Sequence, residues 1–246
     1  LIEVAPPELR ECVDRLRERG YCGWNVTVPH KEQMAALVAE LEVTASAAGS
    51  VNTVVNAGGR LMGYSTDGYG LEQAVRQAFG LDIGQHCVAF IGAGGAARAT
   101  GVHFACRGAA RIVLINRTLA KAVAVAEAIT RAAPACEVMT VALDDTAAVD
   151  NALCSADLIV QATSLGLHST DPLPVAPGLI PAKACVFEMI YRNTPFLEAA
   201  REKGCATADG RGMLLHQGAA SFRLWTGLDP SLEVMKSAMN RALAAG

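Results

Sequence analysis

The run V-A-F-I-G-A-G-G-A-A-R at residues 88–98 constrains the fold of this chain more than any other stretch. A short apolar segment ends in glycines, and small residues suited to a closely packed helix follow at once. Gly92 permits a tight strand-to-helix turn. Gly94, without a Cβ, lets backbone approach a pyrophosphate, and Ala97 is small enough for helix–sheet contact. Gly92, Ala93, Gly94, Gly95 and Ala96 are therefore the candidate phosphate cradle, with helix N–H groups and the helix dipole facing the anion. The next predicted strand, 111–115, ends at Asn116, Arg117 and Thr118, where the adenine-side ribose of a dinucleotide would lie. An acidic residue there would select NAD. Arg117, with Lys121 one helical turn on, points to the 2′-phosphate of NADP. A solvated Arg and Lys opening an amphipathic helix is the second-ranked reading.

From residue 86 the pattern alternates strictly: strand 87–91, helix 95–107, strand 111–115, helix 118–132, strand 136–141, helix 145–153, strand 157–161. Strand 184–187, helix 194–203, a short strand at 205–207 and helices 212–226 and 231–245 follow. Alternation of this kind specifies a doubly wound parallel sheet with helices on both faces. Before it, the pattern predicts helix 6–19, a β-like segment 21–28 stopped by Pro29, and helix 30–41. Strands 51–55 and 61–64, joined by the turn N-A-G-G, and helix 69–79 complete the N-terminal part. A composition shift at 80–84 predicts a boundary. The expected architecture is a two-domain α/β protein with a cleft between the domains. Residues 1–79 plus 212–246 would form a substrate and catalytic domain, and 80–211 a Rossmann-type NADP-binding domain.

The chain has 246 residues, is 52% hydrophobic and only 18% charged, which argues for a filled core and against disorder. A net charge of −3 with no basic cluster gives no electrostatic case for nucleic acid or an anionic membrane. No apolar run approaches the ~20 residues that span a bilayer, and the N-terminus carries no signal-peptide pattern. The eight cysteines are scattered without C-x-x-C, and the five histidines lack metal-ligand spacing, so no metal is expected and a reducing cytoplasm fits. The expected partner is a small-molecule substrate, and the expected assembly a monomer or homodimer.

Polar residues concentrate at three predicted element ends: G-W-N-V-T-V-P-H-K at 23–31, G-S-V-N-T at 49–53 and G-Y-S-T-D-G at 63–68. Taken singly, Asp67 reads as an N-cap, Lys31 as a solvated helix start and Asn52 as a turn former. Together with G-A-G-G-A-A-R at 92–98, N-R-T at 116–118, A-T-S-L-G at 162–166, M-I-Y at 189–191, D-G-R-G-M-L-L-H-Q at 209–217 and F-R-L-W-T-G at 222–227, they resemble the shikimate dehydrogenase family over nearly the whole chain.

That resemblance implies reversible NADP-dependent reduction of 3-dehydroshikimate to shikimate, a step of aromatic amino acid biosynthesis. It assigns Lys31 and Asp67 to catalysis, and Thr27, Asn52, Tyr191 and Gln217 beside them to the substrate. Ala162, Thr163, Met189 and Gly210 would wall the nicotinamide. The chemistry is coherent, because oxidising a secondary alcohol requires a proton to leave oxygen as hydride leaves carbon, and a lysine beside that oxygen can exchange the proton. Asp67 would orient the lysine and bond the substrate hydroxyl.

Departures from the family pattern are Ser65 in place of Asn, Glu188 where Asp is common, and a short loop after Tyr191. Family members also begin with a strand and an S-x-S-P loop that holds the substrate carboxylate. The first match here is V-A-P-P-E-L at 4–9 and no S-x-S-P element is present, which implies a catalytic sheet short of one strand and a reduced carboxylate site. The alternatives are a quinate/shikimate dehydrogenase using NAD, which Arg117 disfavours, and a non-catalytic ligand sensor on the same fold, which the retained Lys31 and Asp67 disfavour.

Overall fold

A computed structural model of the chain describes residues 1–168, 170–182 and 184–244. The N-terminal part runs through α1 (Leu9–Glu18), β1 (Gly23–Asn25), α2 (Lys31–Ala35), β2 (Glu40–Leu41), α3 (Val43–Ala48), β3 (Thr53–Ala57), β4 (Arg60–Tyr64) and α4 (Asp67–Phe79). β3 and β4 form the expected antiparallel hairpin, Thr53 opposite Tyr64 and Ala57 opposite Arg60. They lie at the centre of a four-stranded sheet ordered β1-β3-β4-β2. Leu9, Val13, Met34, Ala45, Val51, Val54 and Leu61 pack together as its core.

The long helix expected over 30–41 is not formed. Leu37, Val38 and Leu41 have helical spacing, but α2 ends at Ala35 and the chain turns to pair β2 with the free edge of β4. Ala39 N–H donates to the Leu61 carbonyl and Glu42 N–H to that of Gly63, both at 2.9 Å. Those strand-edge carbonyls need donors, and the demand overrides a local helical preference. A helix absent from the sequence reading, α3, then begins because the Glu42 carboxylate accepts from Thr44 N–H (3.0 Å) and Ala45 N–H (3.2 Å).

The remaining elements are β5 (Cys87–Ile91), α5 (Gly95–Cys106), β6 (Arg111–Asn116), α6 (Leu119–Ala132), β7 (Glu137–Ala142), α7 (Thr146–Cys154), β8 (Leu158–Gln161), β9 (Cys185–Glu188), α8 (Pro195–Glu202), β10 (Ala206–Ala208), α9 (Arg211–Thr226) and α10 (Leu232–Ala244). β5 to β10 build a six-stranded, wholly parallel sheet ordered β10-β9-β8-β5-β6-β7. Successive side chains of a strand face opposite ways, and here both faces are covered. Val88, Phe90, Ile112, Leu114, Leu158 and Val160 pack under α4, α5 and α6. Their neighbours Ala89, Ile91, Val113, Ile115 and Ile159 pack under α7 and α8.

Strand order reverses between β5 and β8, the kind of switch point at whose carboxyl ends open α/β sheets bind ligands. α9 returns from β10 to pack along α4, and the Trp225 indole N–H donates to the Val54 carbonyl at 2.9 Å. The end of the chain is thereby joined to the N-terminal sheet. No helix of the described residues is long and apolar enough to cross a membrane.

Candidate active site

Lys31 opens α2 and Asp67 opens α4, and their side chains meet: Lys31 Nζ donates to Asp67 Oδ2 at 2.6 Å. Both are sheltered, with side chains 22% and 9% exposed. Asp67 is not a helix cap. The cap position belongs to Thr66, and the two Asp67 oxygens face Lys31 and Asn52. The Lys31 backbone is pinned as well, its carbonyl accepting from Val51 N–H at 2.9 Å.

Asn52 is the hub beneath the pair. Its Nδ2 donates to Asp67 Oδ1 and to Thr66 Oγ1, each at 2.9 Å, while its Oδ1 accepts from Thr66 N–H at 2.8 Å and the Thr53 hydroxyl at 3.0 Å. Nδ2 also lies 3.4 Å from Gln217 Oε1 on α9. Four residues that the sequence reading did not single out, Thr53, Thr66, Ser221 and Asn25, complete the network. Ser221 on α9 shares a 2.8 Å bond with Thr53, Thr66 lies 3.3 Å from Ser221, and Asn25 Nδ2 donates to Ser221 Oγ at 2.9 Å. Their spacing offered no signal, because 196 residues separate Asn25 from Ser221. A fully satisfied buried network of this sort fixes side-chain positions, since each member left unbonded would carry a desolvation cost.

Above the network opens a cavity of about 370 Å³. Thr27, Lys31, Asn52, Asp67, Tyr191 and Gln217 all line it, and so do Met189 and Gly210. All six residues expected at the substrate are therefore brought together. Two of those expected at the nicotinamide, Met189 beyond β9 and Gly210 at the start of α9, join them.

The glycine-rich turn lies at the carboxyl end of β5, between that strand and α5. Gly92 has φ 108°, and a Cβ there would come within 2.8 Å of Thr163 Cγ2 and 3.0 Å of the Ala162 backbone. Only glycine fits this position, which also explains how Ala162 and Thr163 come to lie against the turn. A Cβ on Gly94 or Gly95 would instead meet nothing within 4 Å. The N-cap of α5, Gly94, makes no side-chain cap bond, so no capping side chain occupies the first-turn N–H groups. That arrangement fits a dinucleotide phosphate. Asn116 ties the turn to β6, Oδ1 accepting from Ala93 N–H at 3.2 Å and Nδ2 donating to the Thr118 carbonyl at 2.8 Å. Arg117, Thr118 and Lys121 are exposed beyond it and do not line the cavity.

Glu188, at the end of β9, is fully buried. Burial pushes its carboxyl from an ordinary 4.5 to about 7, against bonds from Ile190 N–H and the Thr194 hydroxyl, both at 3.1 Å. The folded protein thus holds a proton that the unfolded chain releases between those values. The Glu188 contribution to stability is full below about pH 4.5 and is lost as pH rises through about 7, by roughly 3 kcal/mol. Glu188→Gln should abolish this pH-dependent loss. Urea unfolding of both proteins between pH 5 and 8 measures it, and parallel stability curves would refute it.

Comparison with known proteins identifies the fold family. The profile of the shikimate dehydrogenase substrate binding domain matches residues 1–54, that of shikimate / quinate 5-dehydrogenase residues 73–170, and that of the shikimate 5'-dehydrogenase C-terminal domain residues 210–239. The chain is 37% identical to the shikimate dehydrogenase (NADP(+)) of Symbiobacterium thermophilum, over 98% of this chain and 83% of that protein. The chain belongs to the shikimate dehydrogenase family. The shikimate dehydrogenase (NADP(+)) of Rhodopseudomonas palustris is 43% identical over 94% of this chain and 81% of its own length. Among solved structures, shikimate 5-dehydrogenase from Listeria monocytogenes in complex with shikimate and NAD aligns with a TM-score of 0.90. That alignment is at 31% identity and covers 97% of this chain and 84% of the other. These relatives share the two-domain fold, and the parallel sheet β5–β10 is the Rossmann-type sheet of the family.

Proposed function

We propose that the chain catalyses the reversible NADP-dependent conversion of 3-dehydroshikimate to shikimate, with Lys31 and Asp67 as the proton-handling pair. The observation that carries the reading is their 2.6 Å contact at the wall of a cavity that also reaches Met189 and Gly210. NADP, when bound, supplies the hydride acceptor, and NADPH the donor. Everything else is work for the chain. Asn52 holds Asp67 so that the carboxylate keeps Lys31 Nζ aimed into the cavity. Lys31 exchanges the proton of the substrate hydroxyl, and Asp67 accepts a hydrogen bond from the same region of the ring. Thr27, Tyr191 and Gln217 orient the remaining polar groups. Fixing the hydroxyl beside a preformed pair lowers the entropic part of the barrier.

The uncapped first turn of α5 and its glycine turn fit the pyrophosphate, Asn116 and Thr118 the ribose, and Ala162, Thr163, Met189 and Gly210 the nicotinamide surround. Residues 1–79 with 212–246 form the substrate domain and 80–211 the NADP domain in this reading, supported by the packing of α9 on α4. All eight cysteines are free, which supports a cytoplasmic location, and a monomer or homodimer suffices because every proposed site residue comes from one chain.

Arg117 and Lys121 are assigned to the 2′-phosphate. A guanidinium–phosphate contact contributes ~1.5–3 kcal/mol, so Arg117→Ala should raise the KM for NADP at least ~10-fold and leave NAD almost unchanged. Equal weakening with both cofactors would remove the assignment. The function itself is tested by steady-state assays with shikimate and quinate, each with NAD and NADP. Turnover with shikimate and NADP supports it; preference for quinate with NAD, or no turnover with any pair, overturns it.

A further inference from the structure

Within α4, five residues after Asp67, a carboxylate lies at a helix–helix contact with no part in the chemistry above. The Glu72 side chain is only 4% exposed. His103 Nε2, on α5, lies 2.8 Å from Glu72 Oε2, and the Arg107 Nε–H, just past α5, donates to Oε1 at 3.1 Å. Arg76 reaches the same oxygen at 3.6 Å. His103 and Arg107 hold the Glu72 carboxyl below its ordinary value, the His103 hydrogen bond being the largest influence and burial opposing it. A buried carboxylate is costly unless its partners are well aligned, and loss of one partner is more damaging than an apolar pair would be.

His103 does more than bond Glu72. Gly68, the residue after Asp67, lies so close that a Cβ there would fall 2.2 Å from His103 Cβ and 2.5 Å from Cγ. The imidazole stem is therefore wedged against Gly68 in the first turn of α4 while its Nε2 is tied to Glu72, about 6 Å further along that helix at ~1.5 Å per residue. One side chain of the helix that begins at the nucleotide turn thus grips two points of the helix that begins at Asp67. We propose that His103 and Glu72 form a positioning pair, which sets the register of the Asp67 helix against the helix carrying the phosphate-binding turn. This inference rests on the proposed dehydrogenase activity for its effect on rate, but not for its effect on the helices.

The test compares His103→Ala with His103→Gln, whose amide N–H can take the place of Nε2–H toward Glu72. In the ligand-free protein, His103→Ala should raise hydrogen–deuterium exchange of the amides at 67–71 by ~10-fold, beyond any change in β5–β9. In turnover with shikimate and NADP, kcat should fall ~10-fold, since an ångström of misalignment is worth more than that at a reacting centre. Both KM values should stay within about two-fold, and the primary deuterium isotope effect on kcat should rise as hydride transfer becomes limiting. His103→Gln should restore exchange, kcat and isotope effect towards the unmutated values. Unchanged exchange at 67–71 in His103→Ala overturns the proposal, as does a lower melting temperature with unchanged kcat and isotope effect. If the unmutated protein does not turn over shikimate, the functional reading fails and the exchange comparison alone decides the pair.

Discussion

Replacing Lys31 with alanine is expected to lower kcat for shikimate oxidation by ~10²–10⁴, the usual worth of a positioned acid–base group. The KM for shikimate should move much less, because in the proposed role the lysine acts chiefly on the proton that leaves in the transition state. The geometry makes the effect specific. Nζ is held 2.6 Å from Asp67 Oδ2, and Asn52 keeps that carboxylate fixed from the other side, so the lysine cannot be replaced by a neighbouring donor. Circular dichroism must accompany the kinetics, since Lys31→Ala removes the ion-pair partner of a sheltered carboxylate and leaves it, among the described residues, bonded to Asn52. A folded variant with near-normal turnover would refute the assignment.

Asp67→Asn should cost ~10² or more in kcat/KM, and unlike the lysine variant it should also weaken shikimate binding, because the amide no longer offers two acceptor oxygens. One of those oxygens serves Lys31 and the other Asn52. An amide nitrogen in either place would face an N–H donor. The two substitutions should not add, since the two side chains are in direct contact and the proposed mechanism has both act on one substrate oxygen. A double-mutant cycle on kcat/KM at saturating NADP measures the coupling, and strictly additive losses would mean that the two residues act separately.

Much of the parallel sheet was readable along the chain. Strand 87–91 was expected and observed over the same residues, and the strands expected at 111–115 and 157–161 ended within one residue of those found. The reason is physical: a strand covered on both faces must be apolar at consecutive positions, and a crossover helix must follow it, so the signal is local and repeated. The glycine turn was readable for a similar reason. Gly92 adopts φ 108° against Thr163, a demand that a single residue type meets.

The N-terminal sheet was less legible. Helical spacing of Leu37, Val38 and Leu41 promised one helix, whereas the unpaired edge of β4 took residues 40 and 41 as a strand. Asp67 looked like an N-cap by position, and its true partners, Lys31 and Asn52, lie 36 and 15 residues back. Motif likeness brought Lys31, Asn52, Asp67 and Gln217 into one list, but no local pattern could say that Ser221 and Asn25 close the network beneath them.

Local sequence thus dictated what depends on neighbours along the chain: the alternating strands and helices, and the glycine turn with Arg117 after the next strand; the candidate chemistry of Lys31 and Asp67 came from the likeness of motifs and not from their neighbours. Folding in three dimensions decided what depends on contacts across the chain. It truncated α2, buried Glu72 against His103, and brought α9 back so that Gln217 and Ser221 meet Asn52 and Thr53. The difference lies in range. Backbone preference and apolar period act over a few residues, whereas pairing a free strand edge or satisfying a buried amide draws on whichever group the packed chain delivers.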